Sequence, residues 1–210
     1  MKSLRAYETI RDMILTGVKR PGTRLILSEL ETELEIGRGP IREALMRLDR
    51  SGLVRNIPYK GAIVATPPTR KEIRHIYDMR VTLEVKLAIE AMENLTESDF
   101  SVLDSLLTSM ETLPENHYHY DRQFHSHINE ASDLPHLCTI AQTLALVVES
   151  VLSIYRWETD HCKKFNSEHR AIFDALKAKD ADAVKKNVEK NIKNGLDIIN
   201  ETYDKMFRIF

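Results

Sequence analysis

The stretch that decides the fold is Gly37-Arg38-Gly39-Pro40-Ile41-Arg42-Glu43-Ala44-Leu45-Met46-Arg47-Leu48. Ile41, Leu45 and Leu48 recur in three- and four-residue steps, so they share one face of a helix, while Arg38 and Arg42 lie one turn apart on the other. Gly37 is a tolerable N-cap, and Pro40 falls in the first turn, where its missing N–H costs little. Ser51-Gly52 closes the helix. Guanidinium groups along the outer face of such a helix suit a DNA groove, because the planar fork matches guanine edges and phosphates alike.

Toward the N-terminus, Leu4, Tyr7, Ile10, Ile14 and Leu15 repeat with helical spacing, and Arg20-Pro21-Gly22 predicts where that helix ends. Ser28 is the expected N-cap of a short second helix through Leu30 and Leu34 to about Glu35. On the other side, Leu53-Val54-Arg55-Asn56-Ile57 and Ala62-Ile63-Val64-Ala65 are β-prone runs around Pro58-Tyr59-Lys60-Gly61, which reads as a hairpin. Three short helices followed by a hairpin predict a winged helix-turn-helix over residues 1–66.

Charge divides the same way. The chain carries a net charge of -2, but its first 66 residues hold 12 Lys and Arg against 8 Asp and Glu, and the remainder 18 against 24. A basic front and an acidic back fit a nucleic-acid reader attached to something else. The start lacks the apolar run of a signal peptide, and Leu144 to Val148 is far too short to span a bilayer, so a soluble, cytoplasmic protein without membrane contact is expected. Cys138 and Cys162 lack a close C-x-x-C spacing, which suggests neither a disulfide framework nor a zinc knuckle.

Thr66-Pro67-Pro68-Thr69 is a stiff polar break, with residues 67–69 as the linker. Beyond it, apolar spacing predicts six helices at about 70–94, 97–111, 116–132, 134–158, 161–179 and 180–207, divided by Thr96, Pro114, Pro135 and Asp180. The expected fold is therefore mainly α: the winged helix-turn-helix, then an antiparallel six-helix bundle over residues 70–210.

Polar residues fall on the inward stripes of that bundle. Tyr118, Asp121, His125 and Ile128 share a face; His169 lies in register with Phe165, Ile172 and Leu176; Asn191 lies in register with Val184, Val188, Gly195 and Ile198. A buried carboxylate or imidazole needs a partner. A D-x-x-x-H pair with a His from a second helix suits a divalent metal with an open position, and a satisfied hydrogen-bond network is the alternative. Arg80 follows Ile73, Ile76 and Tyr77 on an inward stripe, where it either bridges Glu84 at i,i+4 or recognises a carboxylate effector; the reading leans slightly to the effector. His117 and His119, beside a turn, are expected at the surface. Leu137, Ile140, Ala141, Leu144, Val148 and Val151 read as core or as a dimer face.

The front third resembles the DNA-binding domain of the GntR family through Pro21-Gly22-Thr23-Arg24-Leu25, Arg38-Gly39-Pro40-Ile41-Arg42-Glu43-Ala44-Leu45, Gly52-Leu53-Val54 and Lys60-Gly61. The resemblance implies that the helix bearing Arg38, Gly39 and Arg42 enters the major groove, that Arg47 meets a phosphate, and that Lys60 and Gly61 tip a wing in the minor groove. Glu35, Gly37, Gly39 and Ser28 depart from the usual residues, which bears on the operator sequence.

The back is similar to the FadR C-terminal ligand-binding domain of the same regulators, through Ile76-Tyr77-Asp78-Met79-Arg80 with Glu84, Asp121-x-x-x-His125, and Glu168-His169-Arg170. Its six-helix count resembles the VanR-type branch. This likeness implies a divalent metal, zinc or nickel, held by Asp121, His125 and His169, with Asn191 where a third histidine is usual. It further implies a homodimeric repressor or activator that binds an inverted repeat of operator DNA and answers to a small organic acid. A metal-dependent enzyme on the bundle and a DNA-binding architectural protein without effector are the competing readings. No nucleophile or general-base motif accompanies the cluster, so an enzyme is not expected.

Overall fold

The structure, a computed structural model, describes residues 2–66, 68–113, 117–152 and 159–207, without the side chains of 118, 149–152, 159–163 and 201–207. The expectations placed on Pro114, on the side chains of Tyr118, Val151 and Cys162, and on 153–158 lie outside the described residues. Those residues fall into two compact units: one holds the N-terminal elements up to Thr69 together with the end of the seventh helix from Leu146, and the other holds the rest.

In the first unit, α1 (Lys2–Leu15), α2 (Leu27–Leu34) and α3 (Arg38–Arg50) surround a core of Ala6, Ile10, Ile14, Leu30, Ile41, Leu45 and Leu48. Each of these isoleucine and leucine side chains contributes about 1.5–3 kcal/mol on burial. The first helix stops five residues before Arg20, because Gly17 takes the left-handed conformation at φ 75° and turns the chain there. Ser28 is not a cap. Ile26 holds that place with no side-chain bond, and helix two begins at Leu27.

The displaced cap follows from a strand the sequence reading lacked. β1 (Arg24–Ile26) pairs antiparallel with β3 (Gly61–Val64), which pairs on its other edge with β2 (Val54–Ile57), giving the order β1-β3-β2. The expected hairpin is present, and the third strand completes it. Gly61 is indispensable to this pairing: at φ 109° a Cβ would sit 1.9 Å from the Leu25 carbonyl oxygen.

After Thr69 the described residues form six helices, as expected: α4 (Arg70–Asn94), α5 (Glu97–Thr112), α6 (His117–Ala131), α7 (Pro135–Leu152), α8 (Thr159–Lys177) and α9 (Ala181–Phe207), all but the end of α7 within the second unit. Thr96 starts α5 with a reciprocal cap: its backbone N–H donates to Asp99 Oδ2 at 2.9 Å while its Oγ1 accepts from the Asp99 N–H. α4 packs along α9 and α6, and α8 along α9 and α5. Where α4 meets α9, a Cβ on Gly195 would approach the Tyr77 hydroxyl to 3.0 Å, so a small residue there admits the aromatic ring. The α7 stripe divides: Ala141 and Val148 are buried, whereas Ile140 is 47% exposed. Among the described residues no helix is long and apolar enough to cross a membrane.

Candidate functional site

The outer face of α3 is as basic as its sequence. Arg38, Gly39, Arg42 and Arg47 are exposed over the buried Ile41, Ala44, Leu45 and Leu48. Arg38 Nε donates to Glu31 Oε2 of α2 at 2.7 Å. The Arg47 guanidinium lies 5.0 Å from the Tyr7 ring centroid, and that of Arg11 lies 5.7 Å from it. Asp49 Oδ1 accepts from the Asn56 N–H at 2.9 Å, which ties β2 to the end of α3. Lys60 and Tyr59 are exposed at the turn before β3, but Gly61 is buried against β1. Gly61 therefore shapes the wing by permitting close backbone approach. Neither Glu31 nor Tyr7 could be singled out from the sequence, since each acts through an arginine on another helix.

The bundle brings Asp121, His125 and His169 together, with one ligand atom from each all within 4.8 Å of one another. One helical turn on α6 sets Asp121 beside His125, and α8 supplies His169. His169 is fully buried, and its Nδ1 donates to the Phe165 carbonyl oxygen at 2.8 Å. A carbonyl only accepts, so the neutral ring keeps its lone pair on Nε2. That Nε2 sits 2.8 Å from Asp121 Oδ1 yet has no aligned hydrogen bond. With the ring neutral, two acceptors face each other there, one fully buried and the other a third exposed, and either a proton on Nε2 or a cation between them would relieve the contact. The residues present thus fit a divalent metal, with Asp121 and the two rings as its holders; a metal there would polarise whatever oxygen ligand shares it.

Around these donors runs a second layer. His125 turns Nδ1 toward Glu84 Oε2 at 3.3 Å, and Arg80 Nε donates to Glu84 Oε1 at 2.7 Å. The Arg80 guanidinium also lies 5.4 Å from the Tyr77 ring centroid. Burial would raise the Glu84 carboxyl, but Arg80 and His125 overcome it and hold it at about 2. Burial likewise opposes charge on His125, and the carboxylates of Glu84 and Asp121 raise it nonetheless. Asp121 is held below the usual carboxylate range: against burial, His169 and His125 stabilise its charge. The i,i+4 bridge considered for Arg80 is therefore real and buried, with side-chain exposures of 12% and 3%.

Asn191 is buried too, and its Nδ2 donates to Glu168 Oε2 at 3.4 Å. Glu168 also accepts from Asn194 Nδ2. His117 is not a surface residue: it is buried, its Nε2 meets Asn166 Oδ1 at 2.9 Å, and its ring centroid lies 6.3 Å from that of His169. The turn before α6 misled the reading, because His117 continues the Asp121 and His125 face by one further turn. His119, as expected, is exposed.

Comparison with known proteins places both units. Residues 2–64 match the profile of bacterial regulatory proteins of the gntR family, and residues 75–194 match that of the FCD domain. The chain is 28% identical over 193 residues to the HTH-type transcriptional regulator YdhC of Bacillus subtilis, covering 88% of this chain and 85% of that one. It is 26% identical over 208 residues to the gluconate operon transcriptional repressor of the same organism, covering 94% and 84%. Among solved structures, McbR/YncC of Escherichia coli shares the fold with a TM-score of 0.83 at 23% identity, over 97% of this chain and 99% of that one.

Proposed function

Since the chain belongs to the gntR family of bacterial regulatory proteins, with an FCD domain behind its DNA-binding domain, we propose that it binds an inverted-repeat operator as a homodimer and reports a small organic acid through a metal chamber in the helical unit. It is a ligand-responsive transcription regulator and not an enzyme: such regulators bind operator DNA in front and small molecules through the FCD domain, which commonly holds a metal. It acts in the cytoplasm, where operator DNA is found.

In this reading α3 lies in the major groove, Arg38 and Arg42 meet bases or phosphates at its entry with Gly39 between them, Arg47 meets a phosphate, and Lys60 beside Gly61 reaches the minor groove. Two-fold pairing doubles the base contacts that one short helix can make. Asp121, His125 and His169 hold zinc or nickel, with Asn191 or water completing the set, and Arg80 stands near the effector. A carboxylate effector suits both a metal with an open position and a guanidinium. The gluconate operon repressor, to which the chain is similar, is named for the operon of an organic acid.

The observation that supports the sensing role is the gathering of Asp121, His125 and His169, with the buried Nε2 of His169 facing Asp121 at 2.8 Å without an aligned hydrogen bond. Elemental analysis of protein incubated with zinc, nickel or manganese and then desalted is expected to find metal retained. His125→Ala should lower it together with the thermal midpoint, because metal bound to the folded state stabilises by mass action. Asn191→His should raise affinity. Absence of retained metal in both wild type and Asn191→His would make the cluster a hydrogen-bond network. A thermal-shift screen of small carboxylates with and without chelator then tests whether effector binding needs the metal.

A further inference from the structure

Of the two arginines at the entry of α3, one is held and one is not. Arg38 Nε donates to Glu31 Oε2 at 2.7 Å, whereas Arg42 makes no ion pair among the described residues. The backbone that carries this carboxylate is anchored: Glu31 lies in the middle of α2, whose Leu27, Leu30 and Leu34 are buried in the core.

We propose that Glu31 is a positioning residue for DNA reading, which fixes the Arg38 guanidinium so that its outer edge meets a base and thereby sets sequence discrimination rather than overall affinity. The proposal rests on the reading of Arg38 as a groove contact. A guanidinium carries five N–H donors in a rigid fork. With Nε given to Glu31, the donors on both terminal nitrogens stay available end-on, which is the edge that matches the paired acceptors of a guanine in the major groove. Without that anchor, a side chain 58% exposed samples many rotamers and satisfies itself on phosphates as readily as on bases.

Electrostatics points the same way. Glu31 adds negative charge to a helix that also carries Glu29 and Glu33, and of these Glu33 pairs with Lys19 at 2.9 Å. A carboxylate beside the duplex opposes indiscriminate phosphate binding while it organises the one arginine it touches. The bridge itself is exposed on both sides, so it contributes little to folding stability. A purely structural role for Glu31 would show itself in the unfolding midpoint, and a positioning role would not.

The test measures binding of the full-length chain to a duplex selected from a randomised pool by the wild type, against a scrambled duplex of equal length. Glu31→Ala should lower the ratio of selected to scrambled affinity by about five- to tenfold, with scrambled binding unchanged or tighter and the unfolding midpoint unmoved. Glu31→Gln should keep most of the ratio, because its amide oxygen still accepts from Nε. In an Arg38→Ala background, Glu31→Ala should change the ratio no further. An unchanged or raised ratio in Glu31→Ala overturns the proposal, since the carboxylate would then be idle or a competitor of DNA for Arg38. If Arg38→Ala alone leaves affinity for the selected duplex intact, the groove-contact reading of Arg38 has failed; if it weakens that affinity while Glu31→Ala alters nothing, only the role of Glu31 has.

Discussion

In the N-terminal unit the buried polar side chain among the described residues is Ser51, whose hydroxyl donates to the Leu48 carbonyl of its own helix. In the helical unit Glu84, His117, Asn129, Ser132, Glu168, His169 and Asn191 are all buried. One unit keeps its chemistry outside on an apolar core, and the other keeps it within. Changing a functional residue in the first should therefore alter binding and spare the fold. In the second the same side chains hold the fold and the proposed ligand site together, since removing one partner leaves another buried and unsatisfied.

The largest expected effect tests the inside unit. Glu84→Ala strands Arg80 and removes the partner of His125 Nδ1, and breaking such a buried pair costs about 3–5 kcal/mol. Denaturant unfolding of the helical unit measures it, and retained metal should fall with it. The same residue gives a pH dependence of known sign. The carboxyl is depressed from 4.5 to about 2, so its contribution is complete above the unfolded value and is lost as pH falls through the folded one. Glu84→Gln should flatten that acid limb; an acid limb of undiminished slope would assign it to other groups.

Gly61→Ala tests the outside unit where its backbone leaves no room. A left-handed position facing the Leu25 carbonyl should cost at least about 1–3 kcal/mol, read as loss of the three-stranded sheet by denaturation and as weaker DNA binding. This is the exception that sharpens the comparison, because here a residue at the DNA face is also a packing residue. Arg42→Ala is the smaller and cleaner case. It should weaken specific binding by about 1–3 kcal/mol if the fork meets a base, with no change in unfolding midpoint. A shifted midpoint, or full affinity with the fold intact, would break the division between the two units at its simplest point.

Much of this was legible in residue order. The apolar steps of Ile41, Leu45 and Leu48 and the Asp121-x-x-x-His125 spacing are local signals, and they lead to a helix and a side-chain pair that the structure contains. Signals of this kind need only the 3.6-residue period and the chemistry of caps and turns. The misses have different causes: Gly17 ends α1 by a local turn and His117 extends the α6 face by one helical turn, whereas β1 depends on a distant partner. β1 is three residues long and is a strand because β3, some 37 positions later, supplies its partner.

The sequence by itself determined which helices form, to within a few residues at their ends, and that Asp121, His125, His169 and Asn191 share helix faces with apolar residues. It could not decide whether Arg80 is a bridge or an anchor, whether His117 is inside, which partner holds Asn191, or that Arg38 leans on Glu31. Those are distances between side chains on different helices or on successive turns, fixed only when packing brings the elements to within a few ångströms. His169 gives its Nδ1 proton to the Phe165 carbonyl one turn back in its own helix, and only the tertiary packing of α8 and α6 within the bundle decided that the remaining nitrogen faces Asp121.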